Sequence, residues 1–229
     1  MKKNIRTLKY LLGGVLWLIA LYILFLVVTG MLNPYCVFTA KNIVFDLTLI
    51  GGCSLVGSLF FCSTQKSSQQ KYRIMQYYMT LIALAYLLGL IIVLLSTSAL
   101  MRFNGEMQRS YDYNLIPFKT ILDFIHKATR HEINLDIVIS NLIGNVIMFM
   151  PMAFFLPILF GNRNSYKRYF LISLGIIISV ELMQLLLGTG SLDIDDVILN
   201  SLGVILGIML YRLKFIQFVL KRLYIIHNE

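Results

Sequence analysis

Charged residues and prolines are scarce in this chain of 229 residues. Asp, Glu, Lys and Arg together make up 14% of it, whereas soluble domains contain about a quarter, and there are only four prolines. This composition excludes a soluble globular domain. Hydrophobic residues make up 58% of the chain, which indicates an integral membrane protein.

Cysteine is scarce as well. The chain has three cysteines, Cys36, Cys53 and Cys62, and their spacing matches no metal-binding motif. Cys53 and Cys62 lie within apolar runs, where a free cysteine behaves as a small buried hydrophobic residue. We therefore expect no cysteine-based site.

Long apolar runs, in contrast, fill most of the chain. Each approaches the roughly 20 residues that cross a bilayer as a helix. The sequence therefore predicts an all-α, polytopic membrane helical bundle with about six transmembrane helices. The six runs are 10–32, 42–62, 76–98, 137–160, 169–187 and 195–213.

Basic residues outnumber acidic ones by 20 to 11, but they form short clusters beside the apolar runs rather than one basic face. We therefore expect no binding of nucleic acid. When alternate loops are assigned to opposite sides of the membrane, fourteen lysines and arginines fall on one side and six on the other. Positive charge concentrates in cytoplasmic loops, so both termini are predicted to be cytoplasmic.

Two shorter segments are amphipathic and are expected to lie in the membrane interface. Pro117 is a favourable first residue of a helix, and apolar residues recur after it at helical spacing. A second such segment begins near Lys214, on the predicted cytoplasmic side. The chain thus divides into three N-terminal membrane helices (1–99), a three-helix core with an outer amphipathic loop (100–213) and a basic amphipathic tail (214–229).

Polar residues interrupt the last three apolar runs at four places. Ionisable and amide groups cost up to a few kcal/mol each in hydrocarbon unless they are paired or hydrated, so several of them indicate a site. The residues are Asn141, Gly144 and Asn145; Glu181 and Gln184; Asp193, Asp195 and Asp196; and Asn200, Gly203 and Gly207.

The rise of a helix places these polar groups at one depth. At about 1.5 Å per residue, Asn145, Glu181 and Asn200 lie roughly 7 to 12 Å below the outer surface, and Asp46 falls in the same layer. Short connections make the last three helices antiparallel neighbours, so their polar stripes can face one another. Glycines at 203 and 207 would let a neighbouring backbone approach closely.

Several of these residues also have a purely structural interpretation. Asn141 and Asn145 could form hydrogen bonds between helices, and Asp193 could cap a helix with Asp196 in its first turn. Glu181 differs, because a carboxylic acid at that depth must be protonated, paired or hydrated, and we expect it to be functional. The inner halves of the last three helices lack ionisable groups, which argues against a transport pathway.

Four segments occur in an order and spacing that is specific. They are Asn114-Leu115-Ile116-Pro117-Phe118; Asn141-Leu142-Ile143-Gly144-Asn145 followed by Phe149-Met150-Pro151; Glu181-Leu182-Met183-Gln184; and Asp193-Ile194-Asp195-Asp196, continuing to Asn200 and Gly203. In these segments the chain resembles the VanZ-like family of bacterial membrane proteins, over roughly residues 100–210. The resemblance implies a place in the bacterial plasma membrane and a part in tolerance of lipoglycopeptide antibiotics such as teicoplanin.

One departure from the family pattern concerns a cation. Many relatives carry an arginine just before the aspartate-rich stretch, where this chain has Gly190 and Ser191. If that arginine binds an anionic ligand, its role must pass to Arg102 or Arg109 here, or be absent.

We therefore expect an outward-facing polar site that acts on the drug or on a lipid-linked envelope precursor at the outer leaflet. Membrane lipid and one of these amphiphiles are the expected partners. The expected ligand-binding residues are Asn141, Asn145, Glu181, Gln184, Asp193, Asp195, Asp196 and Asn200.

The alternative is a membrane enzyme acting on a lipid-linked phosphate or sugar. Glu181 and Asp196 would then be its acid and base, or Asp193, Asp195 and Asp196 would hold a divalent cation. No other cofactor is expected. The sequence leaves open whether a reaction is catalysed, which ligand binds, the oligomeric state and the role of Asp46.

Overall fold

The structure is a computed structural model that describes residues 2–31, 40–91, 113–161, 165–187 and 190–226. Cys36, Arg102 and Arg109, which entered the sequence-based interpretation, lie outside these residues. The elements in chain order are α1 (Lys2–Met31), α2 (Ala40–Thr64), α3 (Ser68–Ile91), β1 (Tyr113–Asn114), α4 (Lys119–Thr129), α5 (Leu135–Phe149), α6 (Met152–Phe160), α7 (Tyr166–Leu187), β2 (Leu192–Asp193), α8 (Ile194–Arg212) and α9 (Lys214–Arg222).

Six helical segments within the described residues are long and apolar enough to cross a membrane. The predicted all-α, polytopic membrane bundle is thereby confirmed, and the chain is a multi-pass membrane protein. The fourth span differs in detail, because it consists of α5 and α6 with a break at Met150 and Pro151. Proline lacks the N–H that would continue the hydrogen-bond ladder, so the helix restarts at that point.

The chain divides into two compact units. The first comprises residues 1–93 together with 214–229, and the second comprises 94–213. The C-terminal tail, predicted as a region of its own, thus groups with the N-terminal helices.

In the first unit, α1 and α2 pack closely through glycine. A Cβ atom built on Gly57 would lie 2.9 Å from the carbonyl oxygen of Gly13, so neither position leaves room for a side chain without movement. The indole Nε1 of Trp17 donates a hydrogen bond of 3.1 Å to Ser58 Oγ on α2. Small residues and one interhelical hydrogen bond therefore hold this pair, as is usual in lipid.

In the second unit, α8 packs against α5 and α6 by the same means. A Cβ atom on Gly203 would collide with the carbonyl oxygen of Val146, and one on Gly207 would lie 2.7 Å from Cβ of Ala153. The predicted close approach of a neighbouring backbone to these two glycines is confirmed. It fixes the register of α8 against α5, and hence the level at which their polar residues meet.

The amphipathic helix α4 begins two residues later than predicted. Phe118, at its N-cap, has φ 65° and ψ 2°, and Lys119 N donates to the carbonyl of Ile116 at 3.3 Å. These are the angles of the third residue of a type II turn, whose second position, here Pro117, commonly holds proline. Pro117 therefore shapes the turn before the helix rather than its first turn.

Candidate functional site

Two short strands join the loop before α4 to the start of α8. β1 and β2 pair in parallel, with Tyr113 opposite Leu192 and Asn114 opposite Asp193. This pairing joins segments nearly eighty residues apart in the sequence. It brings the aspartate-rich stretch, residues 193–196, next to the N-terminal end of α4.

Asp193 is the N-cap of α8 and also holds the loop. Its Oδ1 accepts from the backbone N–H of Asp195 at 2.9 Å and from Nδ2 of Asn114 at 3.1 Å. Its Oδ2 accepts from Thr120 Oγ1 at 2.6 Å. Three protein donors thus satisfy this buried carboxylate, and the capping interpretation of Asp193 agrees with the structure.

Asp195 belongs to α8, but its side chain caps α4. Its Oδ1 accepts from the backbone N–H of Phe118 at 2.5 Å, and its Oδ2 accepts from that of Ile121 at 3.1 Å. The side chain of Phe118 does not cap α4, so Asp195 supplies the acceptors that the first turn of the helix needs. A carboxylate at a helix N-terminus is also favoured by the helix dipole. At 1% exposure, Asp195 is a structural clamp between α8 and α4.

Asp196 links α8 to α5. Its Oδ1 accepts from Nδ2 of Asn145 at 2.5 Å. The interhelical hydrogen bond that was one interpretation of Asn145 is therefore present, and its partner is one of the predicted site residues.

Glu181 reaches the same place from α7. Its side chain is 3% exposed, and its Oε2 accepts a long hydrogen bond of 3.4 Å from the backbone N–H of Asp193. The carboxyl group also lies close enough to those of Asp193 and Asp196 to interact with them electrostatically. The position of Glu181 thus agrees with the prediction that polar groups of the last three helices come together.

Asn200 lies one helical turn beyond Asp196 on the same face of α8. It is 3% exposed, and its Oδ1 atom has no hydrogen-bond partner within the described part of the chain. A buried acceptor without a donor costs about 1–3 kcal/mol. Below we use the name polar cluster for the residues Asn145, Glu181, Asp193, Asp195, Asp196 and Asn200.

The remaining predicted site residues are Asn141 and Gln184. Asn141 is exposed, and its Nδ2 donates at 2.8 Å to the carbonyl oxygen of Ile137 in its own helix. Gln184 is half-buried near the end of α7, where its carbonyl accepts from the N–H of Gly190 at 3.4 Å. Asp46 belongs to the other compact unit.

The three aspartates do not converge on one point. Asp193 bonds to Asn114 and Thr120, Asp195 bonds to the backbone of α4, and Asp196 bonds to Asn145. In the described ranges, no group of three or more His, Cys, Asp or Glu side chains is arranged to hold a metal ion. The geometry therefore lends no support to the divalent-cation alternative.

The sequence interpretation gave no role to Asn114 or Thr120, the two side chains that fix Asp193. Asn114 stood in the first segment of the family resemblance, before Pro117, and that pattern could have identified it. Its Oδ1 accepts from the backbone N–H of Ile116 at 3.2 Å, as asparagine side chains do in Asx turns. No sequence pattern identified Thr120 as a partner of Asp193, because threonine is common in the first turn of a surface helix.

The polar cluster is rich in acceptors and poor in positive charge. The one ion pair among the residues with described positions joins Arg130 and Glu132, outside the cluster. Glu181 and Asp196 each accept one hydrogen bond from the described residues, whereas an ionised carboxylate offers about four acceptor positions. Chemically, the arrangement can receive a hydrogen-bond donor such as a hydroxyl, amide or ammonium group.

Comparisons with known proteins bear on the second unit. A model of the VanZ/LLP1 family matches residues 79–216, which is more than half of the chain and includes the whole polar cluster. Protein VanZ of Enterococcus faecium is 28% identical over 107 residues, covering 44% of this chain and 66% of that protein. The chain thus spans just under two thirds of the length of this curated relative. No solved structure matches the chain.

Proposed function

The chain belongs to the VanZ/LLP1 family, and from that premise we propose that it lowers the susceptibility of a bacterium to lipoglycopeptide antibiotics such as teicoplanin. We propose that it binds the drug or a lipid-linked envelope precursor at the outer leaflet, with both termini in the cytoplasm. The polar cluster is the binding site in this proposal.

The unpartnered Oδ1 of Asn200 is the single observation that carries the proposal. A buried amide oxygen costs free energy, which a hydrogen bond from a ligand would recover. Asp196 lies one turn away, and Glu181 is close enough to Asp196 to interact with it electrostatically, so further acceptor capacity is close by. The ligand that fits these groups offers several donors, as a sugar or an amine-bearing peptide does.

The apolar surroundings support an amphiphile rather than a wholly polar ligand. The side chains of Phe118, at the N-cap of α4, and of Leu122 and Ile125 within it are exposed, and Asp195 holds the first turn of this helix to α8. An amphipathic helix with exposed apolar residues lies in a membrane interface. A ligand anchored by an acyl chain would therefore meet the polar cluster with its head group while its chain stays in lipid.

No described lysine or arginine forms an ion pair with the carboxylates of the polar cluster, and this bears on the chemical class of the ligand. Phosphate groups are bound by arginine, lysine or helix N-termini, and a carboxylate beside a phosphate is repulsive. In this structure Asp193 and Asp195 already occupy the N-termini of α8 and α4. We therefore infer that the site takes the sugar or peptide part of its ligand rather than a phosphate.

The proposal is tested by growth of a susceptible bacterium with and without the protein. Expression is expected to raise the inhibitory concentration of teicoplanin and to leave that of vancomycin, which lacks the acyl chain, nearly unchanged. Equal shifts for both drugs would indicate altered cell-wall precursors instead. No shift for either drug, with the protein detected in the membrane, would refute the proposed function.

An enzyme acting on a lipid-linked sugar or phosphate is the second candidate because the buried carboxyl group of Glu181 interacts electrostatically with the half-buried carboxyl group of Asp196. Such a pair can act as acid and base. The discriminating measurement is turnover of a radiolabelled lipid-linked precursor by the purified protein. Turnover that Glu181→Gln abolishes would favour the enzyme over the binding protein.

A further inference from the structure

The first unit carries a group of basic residues that the proposed function does not use. After α9 the chain turns at Tyr224, which has φ 58°, and runs back onto α3. There Gln76 Nε2 donates to the carbonyl oxygen of Ile225 at 2.9 Å, and Ile225 and Ile226 are buried. The segment that follows α9 is therefore fixed on α3 rather than free.

Lys71, near the start of α3, is held by the same segment. Its Nζ donates to the hydroxyl of Tyr224 at 3.3 Å and lies 4.8 Å from the centroid of that ring. A lysine side chain ordinarily samples many rotamers, and a cation over an aromatic face is attracted to it. The two contacts thus fix the position of this ammonium group before any ligand arrives.

Lys221 and Arg222 on α9 add two more cations beside Tyr224. Together with Phe218 and Tyr224 they line a cavity of about 220 Å³. Within the described part of the chain, none of Lys71, Lys221 and Arg222 forms an ion pair with a carboxylate. Two segments distant in sequence therefore gather three positive charges around one tyrosine, with no described negative charge to balance them.

Two exposed aromatic side chains of α9, Phe215 and Phe218, lie beside these cations. Phe218 precedes Lys221 and Arg222 by three and four residues, so these aromatic and basic side chains share one side of the helix. A short helix that exposes aromatic and basic side chains together lies in the membrane interface, where head groups and acyl chains meet. We propose that Lys71, Lys221 and Arg222 form a binding site for the phosphate of an anionic phospholipid, whose acyl chains pack beside Phe215 and Phe218.

The test titrates the purified full-length protein, in neutral detergent, with phosphatidylglycerol and counts bound lipid by native mass spectrometry. The variant Lys71→Gln/Lys221→Gln removes two charges from the site. The matched control Arg73→Gln/Lys214→Gln removes two charges from the same two helices but leaves the cavity intact. We expect the first variant to weaken binding roughly ten-fold or more, since each basic residue near an anionic lipid contributes to attraction, and the control to weaken it by about two-fold or less.

Equal weakening by the two variants would mean that total charge matters and that no site exists, which would overturn the proposal. Binding of phosphatidylcholine with the same dependence on Lys71 and Lys221 would overturn the preference for anionic lipid. Displacement of phosphatidylglycerol by millimolar inorganic phosphate would reassign the site to a free anion. If the double variant loses its helical circular dichroism, the exposed Arg222→Gln replaces it, with Lys214→Gln as its control.

Discussion

Two helix pairs in this molecule pack through glycine, and only one of them carries buried carboxylates. Gly57 on α2 lies against the backbone of Gly13, and Gly203 on α8 lies against that of Val146. In the first pair the buried polar side chains are serines: Ser54 donates to the carbonyls of Ile50 and Gly51 in its own helix, and Ser58 accepts from a tryptophan on α1. Close packing of the described residues is thus achieved here without a buried carboxylate.

The α5–α8 pair has buried polar residues beside it that close packing does not explain. Its glycines make the same kind of contact, yet Glu181, Asp195 and Asn200 are buried beside it. Carboxylates within a membrane are costly, whereas a serine bonded to its own helix costs little. Since glycine already explains the close approach of the helices, the carboxylates and the amide need another explanation. For Asp195 it is the clamp on α4, and for Glu181 and Asn200 we propose ligand binding.

The largest expected effect concerns the glycine contact of the second pair. In Gly203→Ala the added Cβ would meet a backbone oxygen that cannot move without shifting α5, and overpacking of this kind costs about 3 kcal/mol. Thermal denaturation of the purified protein, followed by circular dichroism, measures the loss.

Gly144→Ala is the matched control, because a Cβ at Gly144 would meet no atom within 4 Å apart from its chain neighbours and the nearby backbone of its own helix. Alanine is a better helix former than glycine, so this variant should be neutral or more stable by about 0.5–1 kcal/mol. Similar melting temperatures for the two variants would show that α8 does not pack on α5 at this register.

The second prediction concerns the clamp. Asp195→Ala removes both acceptors from the first turn of α4, which should cost about 2–3 kcal/mol because the bonds involve a buried charged group. Hydrogen exchange should then accelerate at the amides of Phe118 and Ile121 while that of the α1–α2 pair stays unchanged.

Asp136→Ala provides the comparison for the clamp. Asp136 is an exposed acidic residue in the first turn of α5, where it gains only the helix-dipole term of about 0.3–1 kcal/mol. If neither aspartate variant changes amide hydrogen exchange in α4, Asp195 does not hold α4 to α8.

The third prediction tests whether Glu181 acts only as a hydrogen-bond acceptor or must also ionise or transfer a proton. Glu181→Gln keeps an acceptor for the N–H of Asp193 and should fold, whereas Glu181→Leu leaves that donor unpaired at a cost of about 1–2 kcal/mol. Denaturation and teicoplanin susceptibility are measured for both. A glutamine variant that folds but is inactive would mean that the protein needs ionisation or proton transfer, and full activity in both would remove Glu181 from the site.

Periodicity predicted much of this architecture and part of the site. The length of the apolar runs identified the six spans, and the spacing of Gly203 and Gly207 identified the face of α8 that approaches its neighbour. Helical depth predicted that Glu181, on an antiparallel helix, lies near the level of Asn145 and Asn200. These features depend on regular geometry, which the sequence expresses directly.

Other features could not be predicted, for physical reasons. Residues i and i+4 of a helix differ by roughly 40° around its axis, so Asn141 can point away while Asn145 faces α8. An exposed asparagine can also bond to a carbonyl of its own helix, as Asn141 does. The pairing of β1 with β2 and the clamp at Asp195 join residues more than seventy positions apart, and no local pattern specifies such tertiary contacts.

The most direct test of ligand binding compares one buried polar residue from each helix pair. Asn200→Ala removes an acceptor that has no described protein partner, so it should cost about 1 kcal/mol or less in stability. Ser54→Ala removes a buried hydroxyl that bonds within its own helix and should cost similarly little. Teicoplanin susceptibility is measured for both variants at matched protein levels in the membrane. We predict that Asn200→Ala returns susceptibility to that of cells without the protein while Ser54→Ala retains full tolerance; full tolerance in both variants would contradict a binding site at the polar cluster.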